Sequence, residues 1–149
     1  MEKIKIHTII EIAGSPREHV EETINKVTKI IKDNKKLEVL KQEIAEIETT
    51  EAPSPRNPEE KIEIFSTFAD LEISLENFDE LMQFCYTFMP SSIEILEPED
   101  LKIKNSHLSN SLNDLLGRLH YQSRIIMEFE ALKKQIMKAR EQRLNEQKD

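Results

Sequence analysis

Four histidines and one cysteine carry most of the side-chain chemistry that this 149-residue chain could perform. His7 and Glu11 share one face of an alternating segment, so an acid–base or metal site could start from them. His19 falls in the first turn of a predicted helix, where solvent surrounds it. His107 and His120 lie thirteen residues apart on one predicted helix, about 20 Å at the helical rise, which is too far to share a ligand within one chain. We interpret His7 as a partly exposed strand histidine.

Cys85 lies on an apolar stripe, with Leu81, Met82 and Phe88 within one helical turn. A nucleophilic cysteine needs an accessible, electropositive setting, so this spacing favours a buried structural thiol. A single cysteine also excludes an intrachain disulfide and a cysteine-based zinc site.

An acidic run from Asp70 to Glu80 could supply paired carboxylates for hydrolysis or for a divalent metal. Glu76, Asp79 and Glu80 fall in the first turn or on the polar face of a predicted helix, where the helix dipole favours negative charge. A solvated face is the preferred interpretation. The sequence therefore predicts no catalytic residue, no metal ligand, no cofactor and no cofactor-binding residue.

The chain has only two glycines, Gly14 and Gly117. Rossmann and P-loop phosphate sites need closely spaced glycines whose backbone N–H groups approach the phosphates, so both types are excluded. The formal net charge of −8 argues against nucleic acid as the main partner. No apolar run approaches the roughly 18 residues of a membrane span, and the N-terminal apolar run is too short for a signal peptide. We expect a cytoplasmic protein.

Periodicity and capping signals divide the chain into six elements and a C-terminal helix. The first half has a strand at 4–13, a helix that Ser15 caps and that ends near Asp33, and a strand at 37–48 with a bulge or a two-sided environment. A surface loop at 49–60 then leads to a strand at 61–73. The rest is a helix at 75–89 capped by Ser74, a strand at 92–97 and a helix at 106–147.

This order predicts an α+β fold, a ferredoxin-like two-layer sandwich (β-α-β-β-α-β) whose four-stranded antiparallel sheet is followed by a long C-terminal helix. Residues 1–104 would form the ferredoxin-like α+β domain. Residues 105–149 would form a helical arm within the same domain unit.

The predicted sheet has more apolar residues than one core can use. We expect the two helices to cover Ile4, Ile6, Ile10, Ile12, Ile62, Ile64 and Phe68. The opposite face would then carry Ile9, Phe65, Ala69, Leu71 and Ile73. Such a patch is too apolar to leave in water, so the C-terminal helix or a second subunit should cover it.

An apolar seam also follows the C-terminal helix at alternating intervals of four and three residues, as in a coiled coil. Its members are Leu108, Leu112, Leu115, Leu119, Ile126, Phe129 and Ile136, with Gln122 and Lys133 at the positions that interrupt it. Gly117 could bend the helix or admit another backbone. The seam could pack on its own sheet or on another subunit, and the sequence leaves both open.

The end of this helix differs in charge from the rest of the chain. Residues 131–149 hold six Lys/Arg and three Asp/Glu, a net charge of +3, whereas residues 1–130 carry −11. A basic segment could contact nucleic acid, an anionic surface or an acidic neighbouring subunit. A solvated helix end, whose charges complement the dipole, is the preferred interpretation.

We therefore expect a non-enzymatic assembly or regulatory module whose sheet face and C-terminal helix bind another protein or a second copy of the chain. The alternatives are a small-molecule-binding regulatory domain, nucleic-acid contact through residues 131–149, and an enzyme built on His7 and Glu11. The interface candidates are Ile9, Phe65, Ala69, Leu71, Leu108, Leu112, Leu115, Leu119, Ile126, Phe129 and Ile136.

Overall fold

The computed structural model, which describes residues 3–147, has the predicted α+β class and the predicted long C-terminal helix. The chain divides into two units, Met1–Ile103 and Lys104–Asp149. The first unit contains β1 (Ile4–Gly14), α1 (Arg17–Asp33), β2 (Leu37–Ile44), β3 (Glu48–Pro53), β4 (Lys61–Leu75), α2 (Phe78–Phe88) and β5 (Ser92–Glu97). The second unit contains α3 (Asn105–Glu146).

The antiparallel sheet of the first unit has five strands rather than the four predicted. β1 pairs with β4 on one side and with β5 on the other. β2 and β3 both pair with the remaining edge of β4, β2 with residues 69–75 and β3 with residues 61–66. The prediction of a loop at 49–60 is therefore wrong in its first half. The side chains of β3 are mostly exposed and show no apolar alternation, so only backbone pairing with β4 defines this strand.

The predicted bulge in β2 is confirmed. The pairing with β4 shifts register between Val39 and Lys41, which leaves Leu40 as the extra residue. Leu37 and Val39, before the shift, and Ile44, after it, all pack against the core. The bulge thus brings apolar residues of both parities onto the same face.

The face predicted for β4 is wrong. Ala69, Leu71 and Ile73 are fully buried in the core, and Ile62 and Phe68 are exposed. Along β4 the apolar residues are even-numbered at 61–64 and odd-numbered at 69–75, so its pattern does not choose a face by itself. The register chooses it, since β1 residues beneath the helices lie directly opposite odd-numbered β4 residues and paired residues share a face.

α1 and α2 cover this face of the sheet. α1 buries Val20, Ile24, Thr28 and Ile31, whose spacing of three and four residues forms one stripe along the helix. α2 buries Leu81 and Phe84. The core of the first unit therefore lies between these helices and the sheet, including the C-terminal part of β4. Burying each aliphatic or aromatic side chain there stabilises the fold by about 1.5–3 kcal/mol.

Both predicted helix caps are wrong. Pro16 occupies the N-cap of α1, and no side chain caps that helix, so Ser15 does not perform this role. α2 begins later than predicted because β4 extends through Ser74. The side chain of Asn77 caps α2 by accepting a hydrogen bond from the Glu80 amide at 2.9 Å.

α3 is one continuous helix of 42 residues, about 60 Å long at the helical rise. It passes through Gly117 without a break, and a Cβ atom placed there would have no neighbour within 4 Å. At 3.6 residues per turn, Gly117 lies on the side of α3 opposite Leu108 and Leu115. Gly117 therefore neither interrupts α3 nor borders its apolar seam.

Candidate functional site

The sheet face that the helices leave uncovered, here called the open face, is strongly acidic. It comprises odd-numbered residues of β1, even-numbered residues of β4 and the residues paired with them in β2, β3 and β5. In these five strands it carries two lysines, Lys5 and Lys41, and eight carboxylates: Glu11, Glu38, Glu43, Glu48, Asp70, Glu72, Glu94 and Glu97. The open face thus has a net charge of −6, which is more than half of the net charge of −11 that residues 1–103 carry.

His7 lies near the middle of the open face, between carboxylates of two neighbouring strands. Its Nε2 atom is 2.8 Å from Oδ1 of Asp70 on β4. Its Nδ1 atom is 3.9 Å from Oε2 of Glu94 on β5. Because an ionised carboxylate only accepts hydrogen bonds, the Nε2–H of His7 donates to Asp70. Both side chains are partly exposed, at 30% for His7 and 41% for Asp70.

Glu72 continues this arrangement towards the opposite edge of the sheet. One of its carboxylate oxygens lies 3.7 Å from Nζ of Lys5 on β1, and the other lies 3.9 Å from Nζ of Lys41 on β2. We call the six residues Lys5, His7, Lys41, Asp70, Glu72 and Glu94 the open-face cluster. It links four adjacent strands through their side chains.

The open-face cluster has the chemistry of cross-strand ion pairs. A histidine held by a carboxylate could orient an acid–base group, but no cysteine or serine contact with His7 accompanies it in the described part of the chain. Among residues 3–147, no group of three or more His, Cys, Asp and Glu side chains is placed to hold a metal ion. Cross-strand pairs of this kind contribute about 0.2–1 kcal/mol each to sheet stability.

His7 is a partly exposed strand residue, as the sequence favours, and the alternative site that would start from His7 and Glu11 is not assembled. Glu11 lies opposite Phe68, four residues from His7 along β1. Asp70, the observed partner of His7, is 63 residues distant in sequence. In the sequence, the even-numbered polar residues Asp70, Glu72 and Ser74 indicate one polar face of β4. Together with the β1–β4 register, this pattern would have identified Asp70 as a candidate partner of His7.

Cys85 behaves as the sequence predicts for a structural thiol. It packs against the core as a partly buried residue of α2. Burial raises the pKa of the Cys85 thiol, so the reactive thiolate is disfavoured. His19 and His120 are exposed, and His107 is an exposed residue in the first turn of α3.

Of the four interface candidates on the sheet, only Ile9 lies on the open face. Ala69 and Leu71 are fully buried beneath the helices and cannot contact a partner, which corrects their assignment. Phe65 is half-buried and, as an odd-numbered residue of β4, lies on the face of the sheet that the helices cover. Instead, Phe68 and Ile62 are the exposed apolar residues of the open face.

The seven candidates on α3 all lie within this one continuous helix, and the side chains of all seven are exposed. α3 carries a second apolar seam that the sequence analysis missed. The first seam consists of Leu108, Leu112, Leu115, Leu119, Gln122 and Ile126. The second consists of Ile125, Phe129, Leu132, Ile136, Ala139 and Arg143. Both have intervals of 4, 3, 4, 3 and 4. The predicted single seam placed Lys133 between Phe129 and Ile136. The second seam has Leu132 at that position instead, so it is not interrupted there.

A shallow hollow of about 420 Å³ lies along β2 and is lined by Lys32 and residues 37–42. A ligand there would contact little more than one edge strand. This differs from the convergent polar groups of a typical small-molecule site, so the hollow lends no support to the small-molecule alternative.

No helix within residues 3–147 combines the length and the apolar character that crossing a bilayer requires.

Comparison with known proteins gives a family match that covers most of the chain. The model of the MJ0538 family matches residues 5–147, which include both units. The uncharacterized protein MJ0538 of Methanocaldococcus jannaschii is 27% identical over 116 residues, covering 76% of this chain. The match spans only 38% of that relative's length. No solved structure matches the chain.

Proposed function

This chain belongs to the MJ0538 family, and we propose that it is a non-enzymatic assembly module in which α3 pairs with α3 of a second copy. The observation that carries the proposal is the pair of apolar seams along one unbroken helix. Seams with alternating intervals of four and three residues are the pattern by which helices pack knobs into holes. A helix of this length with large exposed apolar residues is stabilised by burying them against a partner.

The open face is a poor surface for pairing two copies. Its eight carboxylates outnumber its lysines by four to one, so apposed open faces would repel each other. Two of its predicted apolar contacts, Ala69 and Leu71, are also consumed by the core. The self-contact is therefore assigned to α3 alone.

Sedimentation equilibrium and light scattering of the full chain at micromolar concentrations test the proposal. We expect a mass above that of the monomer. Replacing two members of the second seam, Phe129→Gln with Ile136→Gln, should reduce the mass to that of one chain, because polar residues would then occupy the contact. Glutamine preserves helix propensity better than a β-branched residue, so circular dichroism should still report α3.

The matched control is Met127→Gln with Met137→Gln. Both methionines are exposed and lie outside the second seam, so their replacement should leave the mass unchanged. A parent chain that remains monomeric at high micromolar concentration would refute self-assembly. Equal mass loss in the seam and control variants would refute the assignment of the contact to the seam.

We also propose that the first unit is ferredoxin-like. If β2 and β3 count as one interrupted strand, the sheet has four strands in the order β2/β3, β4, β1, β5. In chain order these are the second, third, first and fourth strands, which is the order of a ferredoxin-like sheet. Two contacts support treating the gap as an interruption: the Ala45 amide donates to the Phe68 carbonyl at 2.9 Å, and the Thr67 hydroxyl donates to the Ala45 carbonyl. Cross-strand NOEs between residues 45–47 and 67–68 would test it, and their absence would contradict it.

A further inference from the structure

The two seams of α3 are mirror images about the midpoint of the helix. α3 runs from residue 105 to residue 146, so its midpoint lies between Ile125 and Ile126. Each member of the first seam has a counterpart in the second at the same distance from this point. The counterparts are Leu108 with Arg143, Leu112 with Ala139, Leu115 with Ile136, Leu119 with Leu132, Gln122 with Phe129, and Ile126 with Ile125.

We infer that α3 pairs with a second copy in the antiparallel orientation, about a two-fold axis between Ile125 and Ile126. This inference rests on the proposed function and specifies its geometry. A two-fold axis at that point places each residue of the first seam at the same level along the helix pair as its counterpart in the partner. A two-fold contact of this kind is self-complementary, since the same two seams serve both copies.

Side-chain volumes support the antiparallel pairing. It places Ala139 opposite Leu112 and Phe129 opposite Gln122, so small and large residues alternate across the contact. A parallel, in-register pairing would place Ala139 against Ala139 and Phe129 against Phe129. The first pair leaves a void and the second crowds the interface, and both faults destabilise packed cores.

Charge supports the same orientation. The segment after residue 130 has a net charge of +3, and residues 1–103 have 12 Lys/Arg against 23 Asp/Glu, a net charge of −11. In the antiparallel pair, the basic end of each α3 lies at the end of the partner helix to which the partner's acidic unit is joined. A parallel pair would bring the two acidic units to one end and the two basic segments to the other.

One feature favours the parallel orientation. Glu128 and Lys133 are five residues apart and occupy the flanking positions of the second seam, where they would form ion pairs between parallel helices. Exposed ion pairs contribute little, so we give more weight to the packing of four apolar layers.

Disulfide trapping in the full chain distinguishes the orientations. Leu115→Cys and Ile136→Cys would each be prepared in a Cys85→Ala background, and mixed subunits would be oxidised with a glutathione couple. Antiparallel pairing predicts that the mixture forms a covalent dimer containing one copy of each variant, and that neither variant alone cross-links. Met127→Cys, outside the seams, serves as the control and should not cross-link.

Cross-linking of each variant with itself, or failure of a dimeric mixture to form the mixed species, overturns the antiparallel inference. Self-assembly would still stand in that case, because sedimentation measures it independently. A monomeric mass for the parent chain would overturn both.

Discussion

Nε2 of His7 lies 2.8 Å from Oδ1 of Asp70, although Glu72, not Asp70, is the residue directly opposite His7 in the β1–β4 register. The contact is diagonal, from one pair to the next on the same face, a distance that a histidine side chain can span. It leaves Glu72 available to Lys5 and Lys41.

We predict a measurable coupling between His7 and Asp70. His7→Ala and Asp70→Ala should each destabilise the fold slightly, and the double variant should cost less than the sum because both single variants remove the same hydrogen bond. The expected coupling is about 0.5–1.5 kcal/mol, measured by urea unfolding in a double-mutant cycle. Substituting Glu11, which does not contact His7, should show no coupling with it.

The reversed face of β4 can be tested by truncating one residue on each side. Leu71→Ala should cost about 2–5 kcal/mol in the free energy of unfolding, because it leaves a cavity in the core. Phe68→Ala should cost clearly less, since Phe68 is exposed on the open face. Chemical denaturation of both variants checks this, and equal losses would contradict the assignment of faces.

Cys85 should react slowly with thiol reagents while the protein is folded. Burial raises the pKa of its thiol, so at a given pH the folded protein has a smaller thiolate fraction than the unfolded chain. The pH at which the labelling rate begins to rise should therefore be higher for the native protein than for the chain unfolded in urea. With the folded pKa raised, the contribution of this group to stability is present below the unfolded pKa and is lost as the pH rises through the folded value. Coincident pH profiles would disprove it.

Gly117→Ala should stabilise α3 by about 1 kcal/mol. Alanine has the higher helix propensity, and an added Cβ meets no atom within 4 Å. Since Gly117 lies on the side of α3 opposite the first seam and eight residues before the second seam begins, the oligomeric mass should not change. Helix melting followed by circular dichroism measures the gain, and a loss of mass would show that the glycine borders a contact.

Local patterns predicted most elements of the fold, and long-range pairing explains the errors. The stripe of α1, the bulge of β2 and the class of the fold follow from spacing that is visible within about twenty residues. The face of β4 does not, because its two parts have opposite apolar parity and only its pairing with β1 selects one. The open-face cluster was missed for the same reason, since Asp70 meets His7 only through the register.

β4 pairs with one strand along one edge and with two strands along the other. Its residues 69–75 lie in the helix-covered core, and its residues 61–64 are mostly exposed. Amide protons of the first group should exchange with solvent only through global unfolding, and those of the second group through local opening of the β3–β4 hairpin. A single strand therefore spans two levels of local stability, with the boundary near the interruption between β2 and β3.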